Sequence, residues 1–282
     1  MDGILVIDKP AGMTSHDVVD QVRRRLGTRK VGHAGTLDPD ATGILIVGVG
    51  KATRLLSYAQ ETPKRYRATA RFGVTTSTQD ASGTVLETKD VELSTEDIAV
   101  ALKRFLGDIE QIPPMVSAVK IGGERLYKKA LRGEEVERPP RPVTIYELEL
   151  VDYDDKDLAT IDVRCSAGTY VRTLINDLGR ELGPGAHMHS LRRTEAGGFD
   201  LDDAAQLDDI DEGKLRSILD AVRELPRLDV DAESETLVQN GRPIPAPDDE
   251  TEERFAIVRD DRLLAIYERR DDRLVADRVV PR

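Results

Sequence analysis

The chain is poor in the residues that build disulfides, metal centres and cofactor sites. Its 282 residues include one cysteine, Cys165, which excludes an intramolecular disulfide and any multi-cysteine zinc site. Its setting, ATIDVRCS, reads as a buried strand position. No apolar run approaches the ~18 residues of a membrane span; the longest lies around Gly43 to Gly50. The opening MDGILVIDKP lacks a basic segment followed by an apolar one, so no secretory signal is expected. GxxxxGK[ST], GxSxG, HExxH and CxxC are all missing. His187 and His189 stand at i, i+2 without a cysteine or acidic cluster beside them, so a structural or packing role is expected rather than a metal site. The sequence therefore predicts a cytoplasmic protein with no metal and no cofactor.

Charge is present in abundance but unevenly placed. Lys and Arg number 41 against 53 Asp and Glu, a net −12. Residues 1–72 nevertheless carry 12 basic and 7 acidic side chains, whereas residues 201–282 carry 13 basic and 23 acidic. Polyanion binding needs a local cationic face rather than a positive total, so an RNA partner is compatible with the overall acidity. The acidic C-terminal part reads as solubilising.

Periodicity and punctuation divide the chain. GILVIDK reads as a strand closed by a Pro-Ala-Gly turn. Thr14 and Asp17 have capping-box spacing ahead of Val18, Val19, Val22 and Leu26, with Gly27 as the stop. Arg23, Arg24 and Arg25 suit that helix's C-terminal dipole and equally suit RNA. KVGHAGTLDPDATG is too rich in Gly, Asp and Pro for regular structure, and Gly43–Val49 follows as a buried strand. A short helix is expected over 52–59. In KRYRATARF, Tyr66, Ala68, Ala70 and Phe72 fall on one face, and Arg65, Arg67 and Arg71 on the other. A capped helix is expected over 94–106, a strand pair over 143–151 and 158–166, and a helix over 172–182 ending at Gly183. Residues 112–142, bracketed by prolines and holding seven basic and four acidic residues, read as an inserted lobe. A boundary falls near 200–225. Residues 226–282 read as a small β-rich module, giving domains of 1–225 and 226–282.

The stretch GHAGTLDPDATG concentrates the chemistry. Three glycines bracket Asp38, and Pro39 fixes the next backbone angle. Thr36, Thr42 and backbone amides can hydrogen-bond the carboxylate. An isolated Asp-Pro is usually a plain turn; here the glycines let a ligand approach the backbone. Asp40, beyond the proline, is expected to face solvent.

Five ordered stretches carry a resemblance: GILVIDKPAGMTSHDVV, KVGHAGTLDPDATGILIVGVGKATR, KRYRATARFGVTTSTQDASG, GDIEQIPPMVSAVKIGGERLYKKALRGEEVERPPRPV and CSAGTYVRTLINDLGRELGPGAHMHSLRRT. Over about residues 3–194 the chain resembles the TruB family of bacterial tRNA pseudouridine-55 synthases. It departs at Ala34, often threonine in the pattern, and at Asp40, often apolar.

The resemblance implies a pseudouridine-synthase fold: mixed α/β (α+β), a mainly antiparallel twisted sheet with flanking helices, and a small C-terminal module like an RNA-binding PUA domain. It implies isomerisation of uridine in the T arm of tRNA by a monomer that needs no protein partner, membrane or cofactor. Asp38 matches the nucleophilic aspartate, with attack at uracil C6, attack at ribose C1′ and a glycal route all open. Arg172 matches the arginine that pairs with it; read alone, it is a helix-start arginine ill-suited to the dipole. Tyr66 matches the tyrosine stacked on the target base. Tyr170 and Leu191 match pocket-lining residues, and His33 matches the histidine of GHxG that contacts RNA. Lys9 either supports the loop or touches the RNA backbone. Lys64, Arg65 and, in the lobe, Lys120, Arg125, Lys128, Lys129 and Arg132 are further expected backbone contacts. The alternatives are a synthase for ribosomal or guide-selected RNA and a tRNA-folding chaperone; only an enzyme requires Asp38.

Overall fold

The structure is a computed structural model that describes residues 1–117, 119–247 and 250–281. The chain forms two compact units. One comprises Met1–Pro39, Ile44–Thr62 and Ala196–Arg282; the other comprises Asp40–Gly43 and Pro63–Glu195.

In the first unit, the strand Gly3–Lys9 is apolar on both faces because each face meets its own core. Leu5 and Ile7 pack with Val18, Val19 and Val22 of the helix Ser15–Arg25. Ile4 and Val6 pack with Ile44, Ile46, Leu55 and Phe199. The strand Thr42–Val49 repeats the arrangement, with Leu45 and Val47 in one core and Ile44 and Ile46 in the other. A period-2 strand with both faces covered gives a continuous apolar run. The capping box is formed: Asp17 N–H donates to Thr14 Oγ1 at 3.1 Å, and Thr14 N–H donates to Asp17 Oδ2 at 2.8 Å.

Two expectations need correction here. Val31–Ala34 is a strand despite its glycine and histidine, because it pairs antiparallel with the apolar Ile46–Val49 stretch. Residues 52–59 are not one helix. A 3-10 turn over Gly50–Arg54 precedes the α-helix Leu56–Glu61.

The C-terminal part of this unit is β-rich, as expected. Arg254–Arg259, Arg262–Arg270 and Arg273–Val279 form a meander, flanked by Arg227–Asp229 and Ile244–Pro245. Phe255, Ile257, Tyr267, Leu274 and Val238 fill its core. Many of its arginines face carboxylates: Arg227 meets Asp229 and Asp261, Arg254 meets Glu61 and Glu268, and Arg259 and Arg262 both meet Glu235.

In the second unit, an antiparallel set runs in the order Lys64–Phe72, Leu158–Cys165, Arg141–Tyr153, Gly107–Gln111. Ala186–Ala196 lies beside Lys64–Phe72. Along Lys64–Phe72, Tyr66, Ala68, Ala70 and Phe72 are buried while Arg67 and Arg71 are exposed, the alternation read from sequence. The helix Val171–Leu182 buries Leu174, Ile175 and Leu178. It comes so close to the strand Ala186–Ala196 that a Cβ on Gly179 would lie 2.2 Å from Ala186 N. Gly183 then closes the helix at φ +104°, a backbone angle suited to glycine. The pairing is mixed, since Thr42 and Gly43 run parallel to Arg192 and Arg193.

Candidate active site

Asp38 sits half-buried in the turn after the strand Val31–Ala34, and the main chain on both sides of it is held. Ser15, 1% exposed, grips Leu37 twice: its Oγ accepts from Leu37 N–H at 2.9 Å and donates to Leu37 O at 3.2 Å. On the other side, Pro39 O accepts from Gly12 N–H at 3.0 Å and from Lys9 Nζ at 2.9 Å. Lys9 is 0% exposed and also donates to Pro10 O at 2.8 Å and Met13 O at 2.7 Å. The KPAGMTS segment is thus a latch for the acid loop. A buried ammonium is tolerable only when its donors are satisfied, and here the backbone carbonyls satisfy it. That burial corrects the expectation of Lys9 as an RNA-backbone contact and supports its reading as a support for the loop.

The glycines of the loop serve different ends. Gly35 takes φ +85°, in the left-handed region. Gly43 takes φ +98°, and a Cβ there would lie 2.1 Å from Arg193 O, so no other residue fits without backbone movement. Thr42 Oγ1 accepts from Arg192 Nη1 at 3.3 Å. Thr36 and Asp40 are exposed. His33 is half-buried opposite Val47.

In the second unit, Arg172 occupies the first turn of the helix Val171–Leu182 and is 4% exposed. Its Nη1 donates to Asp80 Oδ2 at 3.0 Å and to Thr78 O at 3.3 Å, and its Nη2 donates to Val116 O at 2.9 Å. The guanidinium therefore joins the helix to the 77–82 loop and to the start of the 112–142 segment. Asp80 Oδ1 accepts from Thr78 Oγ1 at 2.7 Å, Ser82 Oγ at 2.6 Å and Ser82 N–H at 3.0 Å. Burial pushes this carboxyl up, but the bonds from Ser82 and Thr78 and the Arg172 charge outweigh it and hold it below the usual 3.8. Sequence reasoning missed Asp80. The signal was there in STQDAS, where hydroxyls two residues before and after one carboxylate can all reach it.

Tyr66 is buried at 9% exposure, opposite Val163 in the neighbouring strand. Tyr170 is half-buried at the N-cap of the Arg172 helix, and Leu191 is half-buried on the strand Ala186–Ala196. His187 is buried with Nδ1 2.8 Å from Val74 O, a structural role. Burial raises the Cys165 thiol to about 11, which keeps it an inert core residue. Among the described residues, no cluster of His, Cys, Asp and Glu could hold a metal.

The other expected RNA contacts fare unevenly. Lys64 is 6% exposed, which corrects its reading as a phosphate contact. Arg65 forms ion pairs with Glu147 and Glu195. Arg132 is clamped between Glu124 and Glu134. Lys129 is half-buried. The side chains of Lys120, Arg125 and Lys128 lie outside what the structure describes.

Comparison with known proteins gives a consistent result. Residues 23–171 match the "TruB family pseudouridylate synthase (N terminal domain)", and residues 172–228 match the "tRNA pseudouridylate synthase B C-terminal domain". The tRNA pseudouridine synthase B of Symbiobacterium thermophilum is 51% identical over 246 residues, 86% of this chain and 82% of that protein. That of Mycobacteroides abscessus is 46% identical over 272 residues, 94% of this chain and 91% of that protein. A solved Cbf5-Nop10-Gar1 complex contains a chain that superposes with a TM-score of 0.78 at 26% identity, covering 99% of this chain and 85% of that one. With its latched Asp38 loop and its buried arginine, the chain belongs to the TruB family of pseudouridylate synthases.

Proposed function

We propose that the protein converts uridine to pseudouridine at position 55, in the T arm of tRNA, with Asp38 as the nucleophile. The observation that carries this reading is the double latch on the neighbours of Asp38, Ser15 on Leu37 and Lys9 with Gly12 on Pro39. A carboxylate needs such a fixed seat to attack a particular atom of a bound nucleotide. The N1–C1′ bond breaks, the uracil turns, and C5 bonds to C1′. The C5 proton leaves and N1 regains one, so the atoms balance without a cofactor. Arg172 keeps the nucleophile ionised, Tyr66 stacks on the extruded base, Tyr170 and Leu191 line its pocket, and His33 fills the space it vacates.

Phosphate contacts fall to exposed cations. In residues 1–72, Arg24, Arg29, Lys30 and Arg54 are exposed and form no ion pair among the described residues. They join the 112–142 lobe in gripping the backbone. The catalytic domain spans 1–225 and the module spans 226–282. The enzyme acts as a monomer in the cytoplasm; no described helix is long and apolar enough to cross a membrane. A guide-selected RNA is the second reading, kept because the superposed chain belongs to a Cbf5-Nop10-Gar1 complex rather than to a tRNA enzyme by name. Identities of 46–51% to tRNA pseudouridine synthases against 26% to the chain of the Cbf5-Nop10-Gar1 complex weigh for tRNA.

The experiment is incubation with an unmodified tRNA transcript and mapping of pseudouridine. Modification at position 55 is expected, with Asp38→Asn binding tRNA but forming no product. No product in the transcript, with profiling of total RNA showing modification confined to ribosomal RNA, would overturn the tRNA assignment.

A further inference from the structure

The helix Val171–Leu182 begins against the usual rules. Its N-cap is Tyr170, which supplies no side-chain bond to the first turn. Ser, Thr, Asp or Asn normally stands there. The first turn holds no acid and carries Arg172, a cation at the positive end of the dipole. Such a start frays unless something else holds it.

Gln111 holds it. This residue ends the strand Gly107–Gln111, is paired with Arg141 in the neighbouring strand, and is 2% exposed. Its Oε1 accepts from Tyr170 N–H at 2.9 Å, and its Nε2 donates to Tyr170 O at 3.2 Å. Both ends of one amide grip the main chain of one residue, so Tyr170 can neither slide nor tilt without breaking a buried bond. Tyr170 O also accepts from Leu174 N–H at 3.1 Å, so the grip continues into the helical turn that bears Arg172. Local rules are broken where function needs the position, and a compensating contact stands nearby.

We propose that Gln111 is a positioning residue for pseudouridine formation, fixing the Tyr170 ring and the Arg172 guanidinium in register with each other. The role rests on the reading above that both residues serve the uridine pocket. Gln111 itself touches no reacting atom.

The test compares the full chain with Gln111→Met, which has similar length and no amide, and Gln111→Glu, which keeps an acceptor for Tyr170 N–H but loses the donor. Single-turnover rates on an unmodified tRNA transcript are read beside tRNA affinity. Gln111→Met is expected to slow the single-turnover step about tenfold or more, as a small misplacement of reacting groups does. Its affinity is expected to stay within about twofold, because phosphate contacts set most of it. Gln111→Glu is expected to recover part of the rate. A wild-type rate in Gln111→Met, or a loss wholly in affinity, overturns the proposal. Should Gln111→Met fail to fold, Gln111→Glu carries the same test: a slowed step at unchanged affinity supports the role, and an unchanged rate sinks it. A wild-type protein that makes no pseudouridine in tRNA sinks the functional reading itself, whereas active wild type with unaffected variants sinks only the Gln111 role.

Discussion

Lys9 and Arg172 are both buried cations, one in each unit, but they grip different things. Lys9 reaches three main-chain carbonyls, those of Pro10, Met13 and Pro39, and so fixes the path of two chain segments. Arg172 reaches a carboxylate, Asp80, as well as the Thr78 and Val116 carbonyls. An ammonium with three rotatable donors suits scattered carbonyls, whereas a planar guanidinium suits groups arrayed around its edge. The first arrangement gives a loop its shape. The second aims a charge and ties it to a group that titrates.

Replacing Lys9 tests the first arrangement most severely. Lys9→Met removes a donor from the Pro10, Met13 and Pro39 carbonyls, of which only Pro39 O keeps another in Gly12 N–H; at about 1–3 kcal/mol for each unsatisfied group, a loss on the order of 3 kcal/mol is expected in thermal or denaturant unfolding. Loosening of Pro39 should also cut the rate about a hundredfold in whatever fraction stays folded. Native stability in this variant would show that the latch is incidental.

Asp80→Asn tests the second arrangement. Thr78 and Ser82 keep an acceptor, but the buried guanidinium loses a counter-charge, so a loss of about 2 kcal/mol is expected. Activity should fall while tRNA affinity holds, which equilibrium binding beside single-turnover assays can separate.

Acid sharpens the contrast. The Asp80 carboxyl titrates lower folded than unfolded, so its stabilisation is complete above the unfolded value of 3.8 and disappears as pH falls through the lower folded one. The stability gap between wild type and Asp80→Asn should be constant from pH 7 to about 5 and close below about 4. The gap between wild type and Lys9→Met should not close there, because carbonyls do not titrate. Parallel acid-unfolding curves for both variants would erase the distinction.

The smallest effect is at the helix that follows the latch. Thr14→Ala removes the side-chain half of the capping box and should cost about 1 kcal/mol in unfolding, with activity lowered no more than severalfold.

Local structure was largely legible in the sequence. The alternation in Lys64–Phe72, the capping boxes at Thr14 and Ser94 and the stop at Gly183 are rules of spacing, and each stands in the structure. What escaped were groups whose partners lie far along the chain. Lys9 ends a strand that leaves loop support and RNA contact both open, until Pro39 O, thirty residues on, is placed against it. Asp80 is one acid among hydroxyls until Arg172 arrives from ninety-two residues away. Val31–Ala34 has no strand-like composition of its own and takes its order from Ile46–Val49. Spacing reports periodic burial, and it is silent on hydrogen bonds that close across the fold.

The grip on Leu37 and Pro39 is made through their peptide groups, so it is indifferent to the side chains at positions 36 and 40. Thr36 and Asp40 both face solvent. The loop therefore has two sites where evolution or an engineer can retune the local potential while the main chain on either side of Asp38 keeps its seat. This chain carries an acid at one of them, Asp40, where the pattern it resembles is often apolar. Architecture and surface charge are thus written in separate atoms, so a change of charge at either position leaves the loop's anchoring bonds in place.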